Sequence, residues 1–424
     1  MIEVALIILT IIAITLLPRL IAYIALLYLF IQGWAFNFVE GIQVQLAGVT
    51  VHPLDILYAA SGILTLIYFF KIIVNTEFKL FNTSKTKNST LIILLYIFFF
   101  IGKALNGYID GVPLDAILRF TIGNTQVFYF FLPLILYKKI NQFKNLLYFT
   151  IILSLIFPFG QPFLIHSELT QTILQGQGTL RLGYGDASIL LALGGIAFFC
   201  WDQKRYLSSI PLAGIFMLAH RSAFLGIGLA LMAQAYLKGK QLKTLLLIGL
   251  SGTFMIGLMV LVTTFTNIDI LGKNLSRASE TFQATGTSMG RYYVIFTALE
   301  ELQKRPVSGL SYKEAYDLRK IQTRSARAFN ILTPHNFVLN SIMKNGLFGS
   351  LILFLLILRS LKTAKSISRT PDYNATGAFL YSSMLFCIIF GLMNNTLEGV
   401  GYVFWFLCGT SFWFSNQISK INKT

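Results

Sequence analysis

Charged residues are scarce in this chain. They make up 12% of its 424 residues, against 55% hydrophobic, where soluble domains carry about 25% charged. That deficit excludes water as the solvent for most of the surface. Acidic side chains are scarcer still, 17 Asp and Glu against 34 Lys and Arg. Cysteine is limited to Cys200, Cys387 and Cys408, each in or at the end of an apolar stretch and none in a CxxC pair. A disulfide framework and a thiolate metal site are both excluded by that usage. There is no HExxH, no Walker A loop and no DxD-like acidic pair in the polar connections. Metal-dependent group transfer ordinarily needs carboxylates to hold the cation, so the composition points to chemistry without metal or cofactor. Internal repeats and low-complexity tracts are absent as well.

What fills the chain is long apolar blocks, with a mean hydropathy of +0.69. Only a helix satisfies every backbone group within one lipid-exposed segment. The blocks therefore predict an all-α polytopic membrane protein with about 12–13 transmembrane helices. The expected spans are 3–17, 20–36, 53–74, 90–107, 115–137, 145–163, 186–201, 206–219, 222–237, 242–265, 334–358, 376–393 and 399–415. Only Pro18-Arg19 parts the first two, so they count as one span or two. Met1-Ile2-Glu3 lacks a basic n-region, and the first apolar stretch is expected to remain as a helix. Three regions follow: a helical bundle over 1–265, a large hydrophilic loop over 266–333, and C-terminal helices with a tail over 334–424.

The net charge of +17 ordinarily suggests nucleic acid. Here the basic residues gather at every second connection: Lys138, Lys139 and Lys144; Lys204 and Arg205; Lys238 to Lys243; Arg359 to Arg369. The positive-inside rule places these in the cytoplasm and accounts for much of the charge without a nucleic-acid partner. The alternate connections, including 266–333, then face outward. That loop holds ten Lys/Arg and six Asp/Glu, a basic balance that suits an anionic ligand. Tyr292, Ile295, Phe296, Leu299 and Leu302 predict an amphipathic helix, ended by Pro306 and Gly309, with a second polar helix from Lys313 to Arg327. An amphipathic loop helix lies on a bilayer or roofs a cavity.

His335 is the residue best placed for acid–base work. It stands in Thr333-Pro334-His335-Asn336, where proline in a first turn would put it at a helix N-terminus. The positive end of a helix favours neutral imidazole, the form a general base requires. The plain alternative is a polar residue anchoring a helix end. Arg119, Arg181, Arg221 and Arg291 are expected at the same outer level. Guanidinium forks match phosphate oxygens at any pH, while headgroup snorkelling covers any one of them alone. Snorkelling covers Arg221 least well, in the tight turn His220-Arg221-Ser222. Asp186 is expected to cap a helix, and Glu398 to orient His335 or meet a sugar hydroxyl. Lys344, deep in a span, should face protein or a cavity.

Together these residues resemble the O-antigen ligase and polymerase family, bacterial inner-membrane enzymes acting on undecaprenyl-diphosphate-linked glycans. The resemblance covers residues 175–360. It rests on Arg181-x-Gly-x-x-Asp186, His220-Arg221-Ser222-Ala-Phe-Leu-Gly, Gly290-Arg291 with Pro306 and Gly309, and Pro334-His335-Asn336 with Gly346-Leu-Phe-Gly349. Lys344 departs from the pattern, since related chains often carry an acidic or neutral residue there. The resemblance implies a GT-C-like helical fold and a metal-independent, inverting glycosyl transfer at the periplasmic face. His335 would deprotonate the acceptor hydroxyl, and Arg221 and Arg291 would hold the diphosphate. Arg181, Arg119, Asn336 and Glu398 would contact substrate. Its implied partners are the lipid-linked oligosaccharide, an acceptor glycan or lipid A core, membrane lipids, a chain-length regulator and a flippase. Polymerase is favoured over ligase as a prior. A transporter or flippase for lipid-linked sugars is the competing class, but it predicts inverted repeats. A scaffolding role leaves the shared face of Arg221, Arg291 and His335 without a reason.

Overall fold

A computed structural model describes residues 20–34, 44–46, 49–51, 62–64, 84–161, 187–201, 205–218, 221–238, 260, 264, 287–321, 332, 336–393 and 401–421. In chain order the helices are α1 (Ile21–Trp34), α2 (Ser84–Ile109), α3 (Leu114–Thr125), α4 (Leu132–Leu136), α5 (Ile140–Gly160), α6 (Ala187–Cys200), α7 (Ser209–Met217), α8 (Arg221–Lys238), α9 (Thr287–Lys304), α10 (Tyr312–Ile321), α11 (Phe337–Ser368), α12 (Asn374–Met393) and α13 (Gly401–Ile421). A short antiparallel hairpin, β1 (Val44–Leu46) with β2 (Val49–Val51), pairs Val44 with Val51. It falls in the expected connection 36–52.

The chain is an all-α polytopic membrane protein. Among the described residues, Leu91–Ile109, Ile140–Gly160, Phe337–Ser368 and Pro371–Leu392 are long and apolar enough to cross a bilayer. Shorter apolar helices accompany them, including Ala187–Cys200 and Ser222–Lys238. The expected spans 3–17, 53–74 and 242–265 lie almost wholly outside the described residues. The expected span 115–137 is corrected: it is not one helix. α3 gives way to a 3₁₀ turn over Gln126–Phe130 and then to α4. Such a break is tolerated where protein covers the backbone, and Gln126, Val127, Tyr129 and Phe130 are all buried.

The described residues fall into two compact units. The first draws on Met1–Leu57, Leu136–Ala284 and Lys365–Phe390. Every residue of α6 is buried in it. Only about 21 Å long, α6 is a core element clothed by protein. Gln161 at the end of α5 donates to the Gly214 carbonyl of α7 at 3.1 Å. At the C-terminus of α6, the Lys238 ammonium donates to the carbonyls of Phe199 and Cys200, satisfying acceptors that a helix end leaves open. That bond brings the ends of α6 and α8 to one side, as expected for two basic connections on one face.

The second unit draws on Tyr58–Ile135, Thr285–Ala364 and Gly391–Thr424. Residues 401–414 of α13 are buried, with Phe412 packed on Phe130 at 5.3 Å and Tyr402 on Tyr129 at 5.5 Å between ring centroids. The loop helices are fastened to the same unit. Tyr312 of α10 is buried among Val112, Ala116 and Ile117. Its hydroxyl lies 3.2 Å from that of Thr121; burial raises its pKa, and this hydrogen bond opposes the rise. Ala298 of α9 packs against Met343 of α11, bordered by Leu310, Leu318 and Leu339.

Candidate active site

α11 carries the end of the chain's strongest motif. Its N-cap is Asn336, whose Oδ1 accepts from the backbone N–H groups of Val338 (2.9 Å) and Leu339 (3.1 Å). Two of the four orphan donors of the first turn are thereby satisfied. The Nδ2 group donates to the Leu392 carbonyl at 2.8 Å, tethering the start of α11 to the end of α12. α11 begins at Phe337, three residues after the expected start at 334. Pro334 lies outside the described residues. His335 itself lies outside the described residues, immediately before this cap. Asn336, expected to contact substrate, is engaged as a cap and a tether. Asn336→Ala removes all three bonds and should lower stability by about 1–2 kcal/mol, measured as a lower Tm of the purified protein.

A break lies within α11. Gly346 has φ 64° and ψ −174°, a region essentially restricted to glycine. Facing it is Gly309, with φ +67°, and a Cβ on Gly309 would lie 2.4 Å from the Gly346 nitrogen. The segment Pro306–Leu310 closes the break through backbone bonds. The Leu347 N–H donates to the Pro306 carbonyl (2.8 Å) and the Phe348 N–H to the Val307 carbonyl (3.2 Å). In return the Leu310 N–H donates to the Met343 carbonyl at 2.8 Å. Donors after the break and acceptors before it are paired, as burial requires.

Lys103 of α2 completes this clasp. Its ammonium donates to the carbonyls of Ser308 (3.1 Å), Leu310 (2.7 Å) and Lys344. It also stands 5.7 Å from the ring centroid of Phe99 and 5.9 Å from that of Tyr312. Three donors meet three carbonyls, the full capacity of an ammonium. Sequence reasoning singled out Lys344 and passed over Lys103, although an ionisable residue inside an apolar span was the available signal. Lys344 is partly buried, in keeping with the expectation that it faces protein. Lys103→Met keeps the length and removes the charge. It should cost about 3 kcal/mol and raise the rate of tryptic cleavage after Lys304.

The arginines are described through their backbone. Arg221 is the first residue of α8, three residues beyond Leu218, the C-cap of α7. Of the expected turn His220-Arg221-Ser222, Arg221 and Ser222 are in α8 and His220 lies outside the described residues. Arg291 falls near the start of α9 and Arg119 within α3. A cation at a helix start opposes the macrodipole, so helix stability does not explain Arg221 or Arg291. An anion bound there would be favoured by both the guanidinium and the dipole. Arg221 belongs to the first unit and Arg291 to the second. Arg181, Asp186 and Glu398 lie outside the described residues; α6 begins one residue after Asp186, at Ala187.

No curated protein matches the chain. Residues 206–354 match the family model described as O-antigen ligase. The matched stretch contains Arg221, Arg291, His335 and Asn336, together with both sides of the Gly309–Gly346 clasp. Arg119, Arg181 and Glu398 fall outside it. The match over residues 206–354 supports the O-antigen ligase and polymerase family, and with it a membrane glycosyltransferase of that type.

Proposed function

We propose that this protein transfers glycan from an undecaprenyl-diphosphate-linked donor to a sugar hydroxyl of an acceptor, at the periplasmic face of a bacterial inner membrane. The observation that carries the reading is the family match, whose span takes in the proposed base and both proposed diphosphate-binding arginines. His335 is the general base. It removes the acceptor hydroxyl proton as that oxygen attacks the anomeric carbon, and the bond to the diphosphate breaks. Attack opposite the leaving group inverts the anomeric centre. Arg221 and Arg291 stabilise the charge that develops on the departing diphosphate, and Arg181 and Arg119 assist in holding it. Asn336 fixes the turn that presents His335, while Glu398 contacts the acceptor. Cations replace a metal at the leaving group, so the reaction runs in EDTA.

The acceptor is a second lipid-linked chain, which makes the protein a polymerase, working beside a flippase and a chain-length regulator. The description of the matched family, O-antigen ligase, favours a second reading in which the acceptor is lipid A core. Purified protein in nanodiscs, given lipid-linked oligosaccharide alone or with lipid A core, separates the two. Longer lipid-linked chains without core are the expected result. Transfer only when core is present would replace polymerase by ligase, and no consumption of donor in either case would contradict both.

A further inference from the structure

We propose that α9 is an interfacial helix whose Ile295, Phe296 and Leu299 face is seated among the acyl chains of the bilayer, at the end of α11 that carries the Gly346 break. The helix has two dissimilar sides. Ala298 is buried against Met343. Ile295, Phe296 and Leu299 are large apolar side chains left 39%, 63% and 44% exposed. An exposed loop helix in water would carry polar residues there, and contiguous exposed apolar surface marks an interaction site.

The occupant follows from what this face adjoins. After the break, Leu347, Phe348, Leu351, Leu355 and Leu358 are all exposed. Their spacing puts them on one side of a membrane-crossing helix, which makes them its lipid-facing stripe. The stripe ends at Leu358, directly before the basic run from Arg359 to Arg369. At its other end the stripe begins directly after Gly346. Exposed Val307, three residues past the end of α9, accepts a hydrogen bond from the Phe348 N–H at 3.2 Å. The C-terminal end of α9 is therefore fixed at the start of the lipid-facing stripe. Its middle is fixed too, since Ala298 packs on Met343, about 6 Å along α11 from Leu347. A face at that level, apolar and uncovered by the described residues of its own unit, meets acyl chains. Glu300 and Lys304, exposed on the flank, stay at headgroup level, as in other amphipathic interfacial helices. Arg291, one turn before Ile295, then lies at the membrane surface.

The proposal concerns depth and stands apart from the chemistry assigned above. Cys200, Cys387 and Cys408 are buried, so a single exposed cysteine can be labelled selectively. Phe296→Cys, Ile295→Cys, Phe348→Cys and Lys304→Cys would each carry a bimane fluorophore in nanodiscs of phospholipid brominated on the acyl chain near the glycerol. The expected result is at least a two-fold loss of fluorescence at residues 295, 296 and 348, and little loss at 304. Quenching of 295 and 296 by aqueous iodide instead of lipid bromine would overturn the proposal. Protection of both from either quencher would also overturn it, because protein or glycan would then cover the face. Failure of bromine to quench at 348 would remove the lipid-facing stripe on which the inference rests.

Discussion

Gly346→Ala is expected to leave little folded protein. At φ 64° and ψ −174° an alanine is strained by about 1–3 kcal/mol. Its Cβ would lie 2.1 Å from the Val307 carbonyl oxygen and 2.5 Å from the Gly309 nitrogen. Both are backbone atoms, so no side-chain rotation relieves the contact. The chain must push Pro306–Leu310 away, breaking the Leu347–Pro306 and Phe348–Val307 hydrogen bonds that satisfy the helix break. Strain and lost bonds together approach roughly 4 kcal/mol or more, a large part of the 5–15 kcal/mol that typically separates folded from unfolded chains. Gly102→Ala is the matched control. Nothing lies within 4 Å of a Cβ built on Gly102, and alanine is favoured over glycine in a helix by about 1 kcal/mol. Monodisperse yield and Tm of the two variants should therefore move in opposite directions. Equal behaviour would show that the clasp does not hold the second unit together.

Removing guanidinium charge from Arg221 or Arg291 should have the largest effect on turnover without a comparable effect on folding. Each arginine is proposed to meet charge that grows on the diphosphate as the glycosidic bond breaks. Loss of one such preorganised donor commonly costs 10²–10³ in rate. Arg221→Gln and Arg291→Gln should each lower kcat by about that factor, while Tm stays within a few degrees of wild type. Arg221→Lys keeps the charge and loses the planar fork, so it should fall between Gln and wild type. The double variant should lose less than the product of the single losses if, as proposed, both residues act on one leaving group. Wild-type turnover in both single variants, with folded protein, would leave the arginines to headgroup contact.

Hydropathy alone placed α5, α6, α8 and α12 to within a few residues, because each is one apolar run bounded by polar residues. It failed at 115–137, where the expected span was carried through the polar stretch Gly123-Asn124-Thr125-Gln126 at which the backbone changes from α to 3₁₀. Hydropathy measures transfer into lipid, and it carries no information about which carbonyl each N–H meets. The same limit hid the break in α11. Gly346 and Gly349 were recognised as parts of a motif, but a glycine in an apolar run reads equally well as a small packing residue. Only the approach of Gly309, 37 positions earlier in sequence, shows that Gly346 is needed for its backbone angles. Lys103 stands out in its apolar span as an ionisable residue, but its partners are carbonyls, which no sequence pattern marks. At the candidate site, His335 and the arginines stood out by residue type and order. Asn336 was read by its neighbour's chemistry, although asparagine before an apolar helix is also a plain capping signal.

The central claim is that His335 is the base of a metal-independent glycosyl transfer. The most direct test supplies purified protein in nanodiscs with undecaprenyl-diphosphate oligosaccharide, acceptor and excess EDTA, and compares wild type with His335→Ala. Loss of a general base typically costs 10²–10⁴ in rate. The account predicts donor consumption by wild type, a fall of that size in the variant, and an unchanged Tm. Equal rates for the two proteins would contradict it and leave His335 as a helix-end residue; activity that stops in EDTA would contradict the assignment of leaving-group stabilisation to arginine.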